Sequence, residues 1–526
     1  MIQLTQQSYI AGQWLLPLGT SFYGMDPVAQ QTMAMYQSCT EMNVAEALES
    51  AQYAYHQYSQ LSNDHIANFL STIADQIEAL GDQLLEVADA ETGLGLARLT
   101  GERGRTCGQL RAFAAIVATG EWVQASIDTA DAERQPLPKP DLRRMLRPIG
   151  PVAVFGASNF PFAFGTLGGD TASALAAGNP VIVKGHPSHP ATNELFAVAI
   201  DRAIKQCKLP NGVFSMLQGV THELGRVLVT HPAIEAVGFT GSLRGGRALM
   251  NLAAARSRPI PVFAEMGSVN PVFITPGAIA RRGEQIAIQF AQSVALGCGQ
   301  FCTSPGIAVV LREPQFIDQL LAAFEQMPAG QLLNQQIAEA FQTGMKQLAA
   351  KPAVELLTVY QPNQSAMTPQ SQLLVTSAEA FLADDTLQQE VFGPSTLVVE
   401  CSSLEQMYLV ADACHGNLTA TIHHQPDESS IAKRLFEALS QRVGRVISNG
   451  FPTGVEVCPS QQHGGPYPAS SAPSTTSVGA DAITRFARFV SFQDAPDELL
   501  PAALKNSNPL AINRRLNNEL TTAAID

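Results

Sequence analysis

Hydrophobic positions in the first part of the chain repeat with the period of a helix. From Asp64 onward, large apolar residues recur at spacings of three and four, as they do on an amphipathic helix with one buried face: Ile66, Phe69, Leu70, Ile73, Ile77, Leu80 and Leu84. A second helix is predicted over 102–118. Before both, the stretch 8–30 is interrupted by Gly and Pro and predicts a short strand pair.

From residue 151 the pattern changes to short apolar runs that alternate with helical segments. The predicted strands are 151–155, 180–183, 213–217, 234–239 and 261–263. The predicted helices between them are 162–177, 190–206, 223–230 and 243–255. Because the strands are apolar almost throughout, the alternation predicts a parallel sheet covered by helices on both faces. Sheets of this kind bind dinucleotides beyond the carboxyl ends of their strands.

The remainder of the chain predicts a second α/β unit, with a soft boundary near Pro271. Its predicted strands and helix are 272–274, 307–311, 315–326 and 396–399. The segment 358–371 predicts an irregular loop, and 450–477 is rich in Gly, Pro, Ser and Thr, which predicts a long one. The alternating segment 484–492 predicts a strand at the exposed edge of a sheet.

Composition narrows the class of protein. The 526 residues are 46% hydrophobic and 15% charged, which suits a large globular protein with two or three cores. The formal net charge is -14, so the surface field repels phosphate backbones and anionic lipid headgroups. Nucleic acid and membrane surfaces are therefore not expected as partners.

Targeting and membrane segments are not expected either. No Lys or Arg precedes Arg98, so the basic region of a signal peptide is missing. The uncharged stretch 285–311 contains glutamines, Pro305 and several glycines, a composition that does not fit a membrane helix. The eight cysteines include no CxxC pair, which favours reduced thiols and offers no metal framework. A cytoplasmic protein without a bound metal is expected.

One cysteine stands where a thiol can meet a ligand. Cys302 lies on the Gly-rich stretch 296–306, between an apolar helix-like run and the predicted strand 307–311. Most cysteines are inert small apolar residues, so a nucleophilic role requires an oxyanion donor, a base and an electron acceptor elsewhere in the chain. The stretch 238–246 lies at the junction between a predicted strand and a predicted helix and offers backbone amides to a phosphate.

Five short motifs follow one another in a fixed order. They are Ser158-Asn159-Phe160-Pro161, Phe239-Thr240-Gly241-Ser242, Glu265-Met266-Gly267-Ser268-Val269-Asn270-Pro271, Gly299-Gln300-Phe301-Cys302 and Glu390-Val391-Phe392-Gly393-Pro394. Their order and spacing resemble those of the NAD(P)-dependent aldehyde dehydrogenases across nearly the whole chain. The resemblance implies an α/β fold with a Rossmann-type parallel-sheet cofactor domain, a second α/β catalytic domain and a small β oligomerisation element.

The resemblance also supplies the groups that Cys302 requires. The Cys302 thiolate adds to an aldehyde carbonyl, and the oxyanion accepts hydrogen bonds from the Asn159 amide and the Cys302 N–H. Hydride passes to the nicotinamide ring and leaves a thioester, which a water activated by Glu265 hydrolyses. Taken alone, Asn159 is as well explained as a turn residue and Glu265 as a cap carboxylate. Cys298 is expected to line the pocket or pack.

Residues that bind the cofactor are implied in the same way. They are Lys184, Gly241, Ser242, Gly245, Gly267, Glu390 and Phe392. Glu390 is expected to hold the nicotinamide ribose and Phe392 to support the nicotinamide, while Lys184 reaches the adenosine ribose. Ser242 and Gly241 are expected to meet the pyrophosphate.

The chain departs from the NAD-preferring members at one position. Those members often carry a glutamate three residues after the lysine, where this chain has Pro187. A glutamate there contacts the ribose hydroxyls and repels a 2′-phosphate. We therefore predict that NADP is accepted at least as well as NAD, with Lys184 and either His186 or His222 near the phosphate.

The substrate is the least determined part of the resemblance. Phe301-Cys302-Thr303, with 184–190 and 463–468, most resembles the members that act on 2,5-dioxovalerate (α-ketoglutarate semialdehyde), and NADP-linked fatty aldehyde dehydrogenases are the alternative. A semialdehyde acid requires a cation, and Arg103 and Arg111 share a face of the predicted helix 102–118 in the region that lines the substrate funnel of this family. His463 is an accessory catalytic candidate, with a surface loop residue as the alternative.

Two rivals from other classes stay open. A catalytically silent relative would serve as a structural or binding protein, which the intact set Cys302, Glu265 and Asn159 argues against. A coenzyme-A-dependent relative would pass the thioester to a thiol and needs no general base, so Glu265 favours hydrolysis.

Pattern and resemblance together predict three units. A dinucleotide-binding domain comprises 1–120 and 148–270, with part of 450–478 returning to it, and 271–449 is the catalytic domain. Residues 121–147 and 479–526 form the oligomerisation element and tail. Because an exposed edge strand usually finds a partner, a homodimer or homotetramer is predicted.

Overall fold

A computed structural model describes residues 2–358 and 365–525. Part of the predicted loop 358–371 therefore lies outside the described residues. The strands are β1 (Ser8–Ile10), β2 (Gln13–Leu15), β3 (Ser21–Asp26), β4 (Gln31–Gln37), β5 (Ser126–Asp128), β6 (Leu142–Pro148), β7 (Val152–Phe155), β8 (Val181–Lys184), β9 (Phe214–Leu217), β10 (Ala236–Thr240), β11 (Val262–Glu265), β12 (Val272–Ile274), β13 (Ile307–Leu311), β14 (Val354–Leu356), β15 (Gln372–Ser377), β16 (Ser395–Cys401), β17 (Asn417–His423), β18 (Val443–Ser448), β19 (Ala487–Gln493), β20 (Arg514–Leu516) and β21 (Glu519–Thr521). The α-helices are α1 (Glu41–Tyr58), α2 (Asn63–Glu78), α3 (Asp82–Thr92), α4 (Leu96–Thr119), α5 (Gly169–Ala176), α6 (Pro190–Gln206), α7 (His222–Thr230), α8 (Leu243–Ala254), α9 (Pro276–Ala295), α10 (Pro314–Glu325), α11 (Gln335–Ala349), α12 (Ala378–Ala383), α13 (Leu404–Ala413) and α14 (Ser429–Ser440).

The first seven-stranded sheet has the order β11-β10-β7-β8-β9-β1-β2. Strands β7 to β11 run parallel, which confirms the sheet predicted for 151–263. The strand pair predicted in 8–30 is present as β1 and β2 and extends this sheet antiparallel to β9. Strand order proceeds outward from β7 on one side and from β10 on the other. The carboxyl ends of β7 and β10 therefore flank the topological switch point, where such sheets bind ligands.

The predicted apolar stripe forms the buried face of α2, and the helix predicted after it is α4. Ile66, Phe69, Leu70, Ile73 and Ile77 are buried along α2, as predicted. Leu80 and Leu84 lie beyond its end and continue the buried face into α3. Helix α4 begins earlier than predicted, because its first turns are rich in Arg and Gly and show no apolar stripe.

The helix predicted over 162–177 is shorter than expected, since α5 begins only at Gly169. A Cβ on Gly165 would lie 1.9 Å from the Pro161 carbonyl oxygen, so the preceding turns are packed backbone against backbone. The Phe162 amide there donates to Glu102 on α4 instead of continuing a helix. This irregular segment follows the crevice strand β7 and carries Asn159.

The second seven-stranded sheet has the order β14-β15-β16-β13-β12-β17-β18. All its neighbouring pairs are parallel except β14 with β15. Strand β13 follows the Cys302 turn and lies inside the sheet. All its residues are apolar, and all are buried except the last, which is partly exposed. Helix α9 covers the sheet and is kinked at Arg282, where φ is -140°. In the described part of the chain, no helix is long and apolar enough to cross a membrane.

The third sheet has five strands in the order β19-β6-β5-β20-β21. The predicted edge strand 484–492 begins later than expected, at Ala487, because 480–486 forms a 3-10 helix. That helix buries Arg485, which pairs with Asp170 at 2.8 Å. The division of the chain into the three domains stays a prediction.

The segment between β18 and this 3-10 helix is a long loop, as its composition predicted, and it runs along β11. Met266 N donates to Ala469 O at 2.8 Å, and Ser471 N donates to Ala264 O at 3.0 Å. An isolated bridge also pairs Glu265 with Ser470. The loop therefore brings its own side chains to the carboxyl end of the first sheet.

Candidate active site

The turn that carries Cys302 is held by left-handed backbone and by one amide side chain. Gly297, Cys298 and Gly299 have φ of 56°, 58° and 66°. A Cβ on Gly299 would lie 2.1 Å from the Gly393 carbonyl oxygen, so only glycine fits there. Asn270 Nδ2 donates to the carbonyls of Cys302 and Ser304, each at 2.9 Å. The thiol is thereby fixed between α9 and β13.

Three reactive side chains meet at this turn. Cys302 Sγ lies 3.6 Å from His463 Nε2, and the same nitrogen lies 3.0 Å from Glu265 Oε2. Ser477 Oγ donates to Glu265 Oε2 at 2.7 Å. His463 and Glu265 are 1% and 4% exposed, so water screens their interaction little. The structure thus brings together Cys302, Glu265 and His463, which sequence reasoning selected separately.

The surroundings shift the pKa of the Cys302 thiol upward and the pKa of the Glu265 carboxyl downward. Burial raises the pKa of Cys302 well above its ordinary value, and the Glu265 charge raises it further. Burial also raises the pKa of Glu265, but His463 and Ser477 outweigh it, and the pKa of Glu265 ends below its ordinary value. The carboxylate is therefore ionised at neutral pH while the thiol keeps its proton. Attack by sulfur requires that this proton move to the neighbouring pair.

Asn159 lies against the same turn. Its Nδ2 donates one hydrogen to the Gln300 carbonyl at 2.9 Å, which leaves the second amide hydrogen for a ligand. Arg98 Nη2 donates to the Asn159 carbonyl at 2.5 Å and fixes the backbone. A neutral donor beside the nucleophile is what a developing oxyanion requires.

Several predicted cofactor residues end strands of the first sheet or follow them directly. Lys184 is the last residue of β8, and Gly241 and Ser242 follow β10. Ser242 caps α8 by accepting from Gly245 N at 3.2 Å, and the first turn of that helix is exposed. Burial lowers the pKa of Lys184 to about 8. The switch-point crevice thus has a helix N-terminus beside it and a cation at the neighbouring strand.

Glu390 and Phe392 lie just before β16 of the second sheet, and Gly267 follows β11 of the first. A Cβ on Gly267 would lie 2.4 Å from Glu390 Oε2, so the glycine is what lets this carboxylate approach. Glu390 and Phe392 line a small cavity together with Phe301 of the Cys302 turn. Amides at a helix N-terminus, a lysine and a carboxylate are the donor and acceptor types that a dinucleotide's phosphates and ribose hydroxyls need. These residues fit NAD(P).

Comparison with known proteins agrees with this arrangement. The family profile described as "Aldehyde dehydrogenase family" matches residues 17–486. The chain belongs to the aldehyde dehydrogenase family.

Two curated relatives of this aldehyde dehydrogenase cover nearly its full length. "Alpha-ketoglutaric semialdehyde dehydrogenase 2" of Azospirillum brasilense is 47% identical over 98% of this chain and 99% of its own. "Alpha-ketoglutaric semialdehyde dehydrogenase" of Acinetobacter baylyi is 44% identical over 94% of both chains. Betaine aldehyde dehydrogenase of Staphylococcus aureus, solved in complex with NAD+, matches the fold with a TM-score of 0.79 at 18% identity, over 94% of this chain and 96% of its own.

The two arginines predicted to bind a substrate carboxylate do not reach the site of this aldehyde dehydrogenase. Arg103 Nη1 donates to the Gly81 carbonyl at 2.9 Å, and Arg111 pairs with Asp75 and Glu78 on the exposed face of α2. The two arginines do share a helix face, as predicted, but that face of α4 is turned toward α2 and its end. Arg111 is thereby paired with two carboxylates, and Arg103 is bonded to a backbone carbonyl.

The basic residues predicted near a 2′-phosphate are only partly assembled. The ring of His186 stacks on His189 at 5.5 Å, and burial lowers the pKa of His186. Lys184 acts on it electrostatically, so the two are neighbours at the end of β8. His222 is exposed at the start of α7, the helix that follows β9, and β9 is the strand next to β8.

The ligand atoms of Cys302, His463 and Glu265 all lie within 4.8 Å of one another, a spacing that a metal ion could also use. The expectation of an enzyme without a metal stays a prediction. Cys298, four residues before Cys302, is buried at 4% exposure against Leu332 and Phe341. Its packing position agrees with the role expected for it.

Sequence reasoning missed three residues that the structure places at the site of this enzyme. Ser477 holds Glu265, Asn270 holds the Cys302 turn, and Arg105 lies near Cys302 and Glu265. Asn270 stood inside a recognised motif and could have been selected. Ser477 and Arg105 had no local sequence signal. Ser477 reaches the site only because its loop folds along β11, and Arg105 only because of the way α4 is oriented in the fold.

Proposed function

We propose that this aldehyde dehydrogenase oxidises 2,5-dioxovalerate (α-ketoglutaric semialdehyde) to 2-oxoglutarate with NAD(P). The observation that carries the chemistry is the Cys302 thiol 3.6 Å from His463, with Glu265 bound to the same histidine. Support for the substrate comes from the two full-length relatives named for this semialdehyde, at 47% and 44% identity.

The first step prepares and uses the nucleophile. The Cys302 proton passes to the His463–Glu265 pair, and the thiolate attacks the aldehyde carbon. The free amide hydrogen of Asn159 donates to the oxyanion that forms. NAD(P), when bound, supplies the hydride acceptor. Lys184, the first turn of α8 and Glu390 would hold it, in keeping with their positions around the crevice.

The second step releases the acid from Cys302. Glu265 Oε1 is buried and has no hydrogen-bond partner among residues 2–358 and 365–525, so it is free to accept a proton from water. Ser477 and His463 hold the other oxygen and fix the carboxylate's orientation. The water oxygen becomes part of the carboxylate product, and the sulfur leaves as the thiol.

The test is a coupled measurement of cofactor and product. Purified enzyme with 2,5-dioxovalerate and NADP is expected to form NADPH and 2-oxoglutarate in equal amounts, whether or not coenzyme A is present. Cys302→Ala is expected to form neither, and Cys298→Ala should retain most of the activity. A thioester product with coenzyme A, or no NAD(P)H with any aldehyde, would contradict the proposal.

We propose further that NADP is used at least as well as NAD. Pro187 leaves the end of β8 without a carboxylate that would repel a 2′-phosphate. Titration of the enzyme with NADPH and with NADH, followed by protein fluorescence, measures this without turnover. Tighter binding of NADH by a factor of about ten would contradict it.

We also infer that the enzyme is a cytoplasmic homodimer or homotetramer. Strand β19 is bonded on one side to β6 and ends its sheet, which leaves a free strand edge for a second copy. The eight cysteines are free in the structure, as expected in a reducing compartment.

A further inference from the structure

Three arginines lie near Cys302, and two of them donate hydrogen bonds to backbone carbonyls. Each of these two keeps one buried nitrogen, Arg98 Nη1 or Arg445 Nε, without a partner among the described residues. The Arg98 guanidinium lies over the rings of Phe160 and Phe301, 4.9 and 4.8 Å from their centroids, and donates to a backbone carbonyl. Arg445 donates to the carbonyls of Gly454 and Pro452 at 2.8 and 2.9 Å. Both therefore tie loops together.

Arg105 is different. Its Nε and Nη2 atoms are buried and have no hydrogen-bond partner in the described parts of the chain. A guanidinium normally satisfies its donors when it is removed from water, because an unsatisfied buried donor costs free energy. A group in this condition beside a reaction centre is prepared for an acceptor that the protein itself does not provide.

The surroundings of Arg105 indicate where that acceptor would lie. Its guanidinium is 5.3 Å from the ring centroid of Phe164, and the same ring is 6.2 Å from His463. The charges of Cys302 and Glu265 act on Arg105. Phe164 belongs to an apolar wall with Phe160, Val455 and Val457. Among the described residues, this side of the thiol is therefore an apolar wall with Arg105 beside it, whose Nε and Nη2 are unpaired.

We propose that Arg105 binds the carboxylate of a semialdehyde acid whose aldehyde end meets Cys302. An Arg guanidinium offers paired N–H donors that match a carboxylate, and the apolar wall suits the short carbon chain between the two ends. This inference rests on the proposed function and names the residue that would select its substrate.

The nearest acid on the same helix does not take this role. Glu102 Oε1 accepts from the amides of Phe162 and Ala163 at 2.8 and 2.9 Å, and it forms no ion pair with Arg105 within 4.0 Å. The Glu102 charge acts on Arg105, so the rival explanation is that Arg105 only balances Glu102. In that case its loss would affect every substrate alike.

The experiment compares two aldehydes of equal chain length, 2,5-dioxovalerate and pentanal. Arg105→Gln is expected to lower kcat/KM for 2,5-dioxovalerate about 10- to 100-fold, mainly through KM, because a charge-assisted hydrogen bond is lost. The value for pentanal should change by less than about threefold. Arg105→Lys should recover part of the loss, since it restores the charge without the fork. Arg103→Gln is the matched control on the other face of α4.

The outcomes separate the inference from the proposed function. If Arg105→Gln lowers kcat/KM equally for both aldehydes, Arg105 is a structural residue and the inference is wrong, while the substrate stands. If the native enzyme prefers pentanal, the proposed substrate is wrong. An Arg103→Gln effect as large as that of Arg105→Gln would also overturn the assignment.

Discussion

At the scale of residues, His463 favours the ionised form of Glu265. It holds the pKa of Glu265 below its ordinary value against the opposing effect of burial. A general base must be ionised to accept a proton, so the lowered pKa would keep Glu265 competent for its proposed role as the pH falls. We therefore expect the histidine to extend the pH range of the proposed hydrolysis step.

Removing this histidine should shift the acid limb of the pH profile. In His463→Gln the pKa of Glu265 rises, so the pH at which kcat falls on the acid side moves upward. We expect kcat at neutral pH to fall about 10- to 100-fold, as for a lost hydrogen bond to a charged group. Ser477→Ala should shift the limb in the same direction by less. An unchanged acid limb in His463→Gln would show that Glu265 is not the titrating base.

Glu265 in turn affects the pKa of the Cys302 thiol. The Glu265 charge raises the pKa of Cys302, so Glu265→Gln should lower that pKa and increase the thiolate fraction at a given pH. Alkylation of Cys302 by iodoacetamide, followed by mass spectrometry in a Cys298→Ala background, should become several-fold faster while thioester hydrolysis is lost. Slower alkylation would contradict the electrostatic account.

The candidate site residues show which positions can be selected from the sequence and which require the structure. Cys302, Glu265, Asn159 and Glu390 were selected because each sits in a short motif whose order is fixed. Arg103 and Arg111 were chosen because a helix period shows which residues share a face, but it does not show which face meets the pocket. Only the packing of α4 against α2 decides that, and it places Arg105 near Cys302.

At the scale of elements, the Gly297–Gly299 turn determines where α9 ends and the Cys302 loop begins. Gly299→Ala should destabilise the protein by about 3 kcal/mol or more, because the new Cβ meets backbone in a left-handed conformation. Urea unfolding measures the change. Gly104→Ala on α4 is the control, since its Cβ meets nothing within 4 Å. That substitution should raise stability by about 0.5–1 kcal/mol.

Elements were predicted where periodicity alone determines them. The parallel strands of the first sheet and α6 fall within a residue or two of their predicted positions, because their apolar runs are buried on both sides. The parallel strands β15, β17 and β18 of the second sheet were not predicted. The hairpin of β3 and β4 was missed, since β4 is largely exposed and carries no buried stripe. The start of α5 was misplaced because glycines permitted close backbone packing that a composition of small residues does not distinguish from a helix.

At the scale of the whole molecule, the free edge of β19 predicts how copies associate. Phe489 on β19 is 43% exposed. Phe489→Asp should weaken the association about tenfold or more, because a charge would be buried at the interface. Sedimentation velocity over a concentration series measures it. Leu520→Asp, on β21 at the opposite edge of the same sheet and 72% exposed, should leave the oligomer intact. Equal effects of the two substitutions would exclude β19 as the interface.

The proposed reaction centre is assembled from four separate stretches of chain. Asn159 follows β7 and Glu265 ends β11, Cys302 lies in the turn before β13, and His463 and Ser477 come from the loop that runs along β11. A hybrid gene joined near residue 270 would take the proposed base, Glu265, from one parent and the proposed nucleophile, Cys302, from the other. We therefore expect such a hybrid to keep its activity only where the loop that carries His463 and Ser477 in one parent still packs along β11 of the other. Segments that are distant in sequence would then have to be inherited together.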